Sequence, residues 1–200
     1  MASKTKYLAD KKLIHPPGWL EDNVMYEVIM GSMAYGVSQD SSDMDIYGWC
    51  IPPKSKIFPQ LEGLIPGFDE IQGFDQFQQH HIKDIDAVGG KGRDYDISIF
   101  NIVKYFKLLM DNNPNIIDSL FVPLDCILHS TEVGYLVRDS RRLFLHKGSF
   151  HKFLGYAHSM LHKIGNKKEA KEKALTMLSK LDREYTLEEV EAELNSRIET

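Results

Sequence analysis

Hydrophobic positions change their spacing partway along the chain, and that change predicts two kinds of structure. Val24–Met30 (VMYEVIM) is a run rich in β-branched and aromatic residues, the mark of a buried strand. DMDIYGWCI, beginning at Asp43, predicts a second strand, closed by Pro52 and Pro53, and DYDISIF over 94–100 alternates as a third. Ile102, Tyr105, Phe106 and Leu109 then recur at i, i+3, i+4 and i+7, a helix with one face packed on the sheet. Asn112, Asn113, Pro114 and Asn115 stop it by turn chemistry. Residues 116–122 read as a short helix or turn followed by an apolar strand. From Ser130 the pattern is helical, over 131–145, 149–164, 167–181 and 187–198, the last opened by Thr186 and Glu189 at capping-box spacing.

Three stretches carry no period. Residues 1–22, broken at His15-Pro16-Pro17-Gly18, read as a poorly ordered lead-in with one helical turn near Trp19. Residues 54–58 suggest a short helix, after which 61–86 reads as a long loop or a small hairpin insertion. A stretch of that length inside a compact domain either binds something or is mobile. Phe74, Phe77, His80 and His81 fall in it; base stacking or metal binding is one reading and a partly packed loop the simpler one. AVGGKGR, residues 87–93, lacks the full P-loop pattern and reads as a flexible connector.

The chemistry concentrates between residues 31 and 48. The first strand ends at Gly31, where the missing Cβ lets a bulky anion approach the backbone, and Ser32 adds a hydroxyl beside newly exposed N–H groups. After ten intervening residues come Asp43 and Asp45, which a period of two puts on one strand face. Two like charges that close call for a cation between them. Carboxylate oxygens suit Mg²⁺, which takes one or two protein carboxylates, several waters and the oxygens of a bound phosphate. The string therefore predicts a metal-plus-triphosphate site.

Gly-Ser, ten residues, then Asp-x-Asp resembles the signature of the nucleotidyltransferase superfamily, the DNA polymerase beta-like fold. GSMAYGVSQDSSDMDIYG, with the later DISIFNIVKYFKLL and NNPNIIDSLF, is similar to its branch of bacterial and phage nucleotidyltransferases, over about residues 24–162. The resemblance implies an α/β (α+β) protein with a small mixed sheet of the polymerase beta type, and the switch from strand-rich to helical pattern near residue 125 divides the chain into a catalytic core at 1–125 and a helical region at 126–200. It implies a third carboxylate at Asp96, with Asp94 on the same face as the alternative. By the same resemblance Asp43, Asp45 and Asp96 hold two Mg²⁺ ions, with Mn²⁺ as a substitute, and Gly31 and Ser32 position the β and γ phosphates. The expected reaction moves an NMP, AMP foremost, from an NTP such as ATP to a hydroxyl acceptor, an RNA 3′ end being the first candidate. The rivals are a protein-adenylylating enzyme and a non-catalytic binding module on the same fold. The charged and finally acidic tail departs from what the resemblance implies for acceptor binding, so the acceptor stays open.

Charge sharpens one part of this picture. The chain of 200 residues has a formal charge of −5, yet 138–173 holds ten Lys/Arg against three Asp/Glu. Arg138, Arg141 and Arg142, at i, i+3 and i+4, would share a helical face able to grip a triphosphate or a nucleic-acid backbone, or else a solvated face paired with core acids. His158 and His162, also i and i+4, lack the companion Glu of a zinc hydrolase and read as a partly buried pair near Tyr156. Cys50 and Cys126 form no metal spacing and are expected as reduced core residues. No apolar run is long enough for a bilayer and no signal pattern opens the chain, so a cytoplasmic protein without membrane contact is expected; oligomeric state is not legible.

Overall fold

In a computed structural model the chain is described over residues 2–36, 43–65 and 73–164, with 161–164 described by backbone alone. The elements run α1 (Lys4–Asp10), β1 (Val24–Met30), α2 (Gly31–Ala34), β2 (Met44–Cys50), α3 (Lys54–Ile57), β3 (Gln76–Asp84), α4 (Ala87–Gly90), β4 (Arg93–Asn101), α5 (Ile102–Met110), α6 (Pro114–Ser119), β5 (Ile127–Ser130), α7 (Glu132–Asp139) and α8 (Lys147–Ile164), with short 3-10 turns between some of them. Among the described residues five strands form one mixed sheet in the order β3-β4-β2-β1-β5. Only β2 and β4 pair in parallel; the other neighbours are antiparallel. The fold is the α+β architecture expected, a small mixed sheet with helices.

Two compact units divide the chain. One comprises Met1–Leu108 with Val122–Asp139, and the other Leu109–Phe121 with the chain from Ser140 onward. The sheet lies wholly in the first. One of its faces buries Ile46, Cys50, Ile97, Ile99, Ile82 and Tyr95 against Leu8, Ile14 and Leu20 from the first twenty residues. The expected disordered lead-in is therefore a structural layer. Ser3 caps α1 by accepting from the Lys6 amide, and Lys11 at the other end reaches Asp84 of β3 at 2.8 Å. What looked like a non-periodic leader is a short helix and an irregular strap, whose few apolar residues are spaced to meet the sheet rather than to repeat along a helix.

On the opposite face Trp49 stacks on Tyr105 of α5 at 5.9 Å between centroids, and Tyr47 and Phe100 meet edge to face at 6.2 Å. The helix anticipated from Ile102, Tyr105, Phe106 and Leu109 is α5, and Asn101 supports its start by accepting from the Lys104 amide. The strand anticipated near 120–122 is absent: α6 occupies Pro114–Ser119, and the edge strand β5 forms later, at Ile127–Ser130, against β1. The strand needed the partner β1, and only the register with Tyr26 and Glu27 selects which apolar segment supplies it.

The second unit carries the Asn-rich turn. Asn112 takes a left-handed backbone at the end of α5, and Asn113 caps α6 by accepting from the Ile116 amide. Asn112 is fully buried and hydrogen-bonds Ser149 and His146, so turn chemistry here also anchors α8. The amphipathic segment anticipated at 131–145 is two pieces, α7 and a 3-10 turn at Arg141–Phe144. The helices anticipated at 167–181 and 187–198, with Thr186 and Glu189, and the side chain of His162 lie outside the described residues. Among the described residues no helix is long and apolar enough to cross a membrane. Cys50 and Cys126 are buried thiols outside any disulfide, and burial pushes the Cys50 thiol up to about 12.

Candidate active site

The site is built by register. In the parallel ladder of β2 and β4, Asp45 is paired with Asp96, so the two carboxylates stand side by side on the face that also carries Tyr47, Ser98 and Phe100. Asp94 lies two residues earlier on that face of β4. Asp43 sits just before β2, exposed, so of the three expected carboxylates the structure brings two into direct register and leaves the third at the strand's mouth.

Gly31 closes the other side. In the antiparallel ladder Met30 pairs with Asp45, which sets the first residue of α2 against that carboxylate. Gly31 has φ +67°, and a Cβ added there would fall onto Asp45 Oδ2. Glycine is thus required twice, by its backbone and by the acid beside it. Ser32 follows in the first turn of α2, half-buried.

Asp96 has partners that sequence reading did not supply. The segment 61–86, expected as a long loop or a small hairpin insertion, contains β3, which pairs antiparallel with the following strand β4 as in the hairpin alternative. Gln79 pairs with Ile97 and Ile82 with Tyr95, so His80 and His81 together face the single residue Asp96 across a β-bulge. The His81 amide donates to Asp96 Oδ1 at 2.8 Å, made possible by a left-handed backbone at His81 (φ 54°), and His80 Nδ1 lies 3.1 Å from Oδ2. Burial pushes the Asp96 carboxyl up, but the His81 amide and the His80 ring outweigh it and hold the carboxyl below its usual range. Phe74 and Phe77 are not free for base stacking: Phe74 meets Trp19 edge to face at 4.7 Å, and both pack on the core.

A cation also reaches the Gly31 turn. Arg93, expected in a flexible connector, is the first residue of β4, and its Nη1 contacts Met33 Sδ of α2 at 3.3 Å. Arg138 is placed otherwise than expected: it is 7% exposed, and its guanidinium donates to the Tyr26 hydroxyl at 3.2 Å and the Val122 carbonyl at 2.6 Å. Its charge ties α7 to the sheet, and it shares no solvent-facing helical face with Arg141 and Arg142, because α7 ends at Asp139. Those two belong to the second unit, where Arg141 lies over the Phe121 ring at 5.3 Å.

Among the described residues no three His, Cys, Asp or Glu converge into a ready-made metal cage. Mg²⁺ does not need one, since it binds through one or two carboxylates and completes its shell with water and substrate phosphates. The hard oxygens of Asp45 and Asp96, with Asp43 at the mouth and the Gly31 turn alongside, fit that mode.

No curated protein compared with the chain matches it. A family model described as RlaP, RNA repair pathway DNA polymerase beta family, matches residues 9–178 of the 200, and with a strand, a Gly-Ser turn and in-register aspartates on a mixed sheet the chain belongs to that family.

Proposed function

We propose that this nucleotidyltransferase-type protein transfers an NMP, AMP foremost, from an NTP to the terminal hydroxyl of an RNA. The observation that carries the reading is the pairing of Asp45 with Asp96 beside a glycine that the Asp45 carboxylate itself requires. Two carboxylates held side by side by register repel each other, which a divalent cation between them would relieve, and the pair stands beside the Gly31 turn where phosphates would lie.

In the transfer, the acceptor oxygen bonds to the α-phosphorus, the α–β bridging P–O bond breaks, pyrophosphate leaves, and the hydroxyl proton passes to solvent. Asp43, Asp45 and Asp96 would hold Mg²⁺, or Mn²⁺ in its place, which neutralises phosphate charge and lowers the pKa of the attacking hydroxyl. Gly31 and Ser32 present backbone N–H groups and a hydroxyl to the β and γ phosphates. Arg93, already extended to Met33, supplies positive charge on that side. His81 and His80 keep Asp96 oriented and ionised toward the acceptor. The protein thus positions and neutralises rather than forming a covalent intermediate.

Incubation with Mg²⁺, each α-labelled NTP and RNA, beside Asp45→Asn, tests this. Label in RNA with wild-type protein alone supports the reading and names the base. Label on a protein band replaces RNA with a protein acceptor, and the absence of both label and NTP binding leaves a binding module.

A further inference from the structure

Strand order lays the site out as a line. Reading across the sheet, Gly31 at the end of β1 comes first, Asp45 on β2 second, Asp96 on β4 third, and the outer strand β3 last. If the triphosphate lies at Gly31, the group attacking the α-phosphate must approach from the opposite side of the carboxylates, over β3.

The exposed surface of β3 there is not generic. Gln78 pairs with Ser98, which puts Gln78 on the face of Asp96, and Gln76, opposite Phe100, shares it. Gln76 Nε2 donates to Gln78 Oε1 at 2.9 Å, Gln78 Nε2 lies 2.7 Å from His80 Nε2, and His80 Nδ1 lies 3.1 Å from Asp96 Oδ2. A continuous hydrogen-bonded chain therefore runs along the strand and ends on the carboxylate. His80 is half-exposed at 50%, against 26% for Asp96. Beyond the bulge the same face carries Lys83, paired with Asp94.

Ordinary strand alternation would not deliver this. The bulge inserts one residue so that His80 keeps the face of Gln78 while His81 turns its amide to the same carboxylate. Carboxamides and imidazole both donate and accept, which suits sugar hydroxyls and base edges, while the cation of this face, Lys83, stands beyond the bulge. An RNA end offers a 2′-hydroxyl that is itself both donor and acceptor.

We infer that Gln76 and Gln78 form the subsite for the terminal nucleoside of the acceptor RNA, and that His80 is the positioning residue that joins this subsite to Asp96. The inference rests on the proposed nucleotidyl transfer and adds where the acceptor lies and what reads it.

The test uses the full chain and an RNA oligonucleotide, with a second oligonucleotide whose last sugar is 2′-deoxy. Gln76→Ala/Gln78→Ala raises the acceptor KM about tenfold with the NTP KM unchanged, and it narrows the preference for the ribose end. His80→Ala lowers kcat, and His80→Asn, whose amide nitrogen can take the place of Nδ1, restores most of it; a structural role alone would show as lost thermal stability in both variants. Fluorescence anisotropy of the labelled RNA without nucleotide reads the strip independently of catalysis. An unchanged RNA Kd and acceptor KM in the double variant overturn the subsite. RNA binding that depends on Gln76 and Gln78, in a protein that transfers no label, keeps the subsite and overturns the transfer reaction instead.

Discussion

Two sets of carboxylates stand on opposite faces of the same sheet, and their surroundings give them different work. Glu27 projects from β1 toward the face covered by the first twenty residues and is fully buried. It accepts from the Lys4 amide, the Thr5 amide at 3.0 Å and the Thr5 hydroxyl, so it fastens the start of α1 to the sheet. Burial pushes its carboxyl up, more than those hydrogen bonds and His129 pull it down. Asp45 and Asp96 project from the next strands to the other face, half-exposed, and Asp96 is held below its usual range. The same chemical group is a rivet where donors surround it and water is excluded, and one half of a partly exposed like-charged pair where it meets its counterpart across the ladder.

The comparison breaks most sharply at the open pair. Asp45→Asn or Asp96→Asn leaves the fold intact and lowers kcat for nucleotidyl transfer by about 10²–10³-fold, the scale for losing one electrostatic contact to a transition state. Circular dichroism beside the labelling assay checks both halves. Glu27→Ala does the reverse: it orphans three donors and lowers stability by roughly 3 kcal/mol, read by urea unfolding.

The pH dependence sharpens the contrast. Because the Glu27 carboxyl is raised in the folded state, its contribution is full below the unfolded value of about 4.3 and is lost as pH climbs through the raised folded value. Glu27→Gln flattens that slope in thermal melts, while losing the Lys4 contact because its NH₂ would meet an N–H.

Gly31→Ala couples the faces' difference to the backbone. Its left-handed φ alone costs about 1–2 kcal/mol, and the new Cβ displaces Asp45, so transfer falls further than stability does. The smallest effect is at Arg93→Ala. It raises the NTP KM by about tenfold, about 1.4 kcal/mol, with thermal stability unchanged, and Arg93→Lys recovers part of it; an unaltered NTP KM would remove Arg93 from the phosphate side.

How much of this was legible depends on how local each feature is. The strands at Val24–Met30 and Met44–Cys50 and the Gly31 turn could be read because each is a contiguous pattern. β3 could not, and the bulge is the reason: its inward residues are Phe77 and Gln79 before the bulge and Ile82 and Asp84 after it, so the alternation changes parity in mid-strand. A period-two reading sees noise there and leaves a loop and a hairpin as alternatives. The first twenty residues were misread for a related reason, since Leu8, Ile14 and Leu20 acquire their meaning from the sheet they cover. Arg138 shows the limit of helical spacing: i, i+3 and i+4 describe a shared face only while one helix lasts, and α7 ends one residue after it.

Contiguous pattern and composition were enough for the strand, turn and strand around the two central aspartates, the helix behind them, the reduced cysteines and the α+β class, because strand period, glycine's missing Cβ and side-chain chemistry are properties of neighbouring residues. Tertiary structure decided that Asp45 stands beside Asp96, that His80 and His81 close on that acid, that Arg93 reaches the Gly31 turn and that Arg138 is spent inside. Those relations follow from strand order and register, which join residues far apart in the chain through ladders that no local spacing encodes.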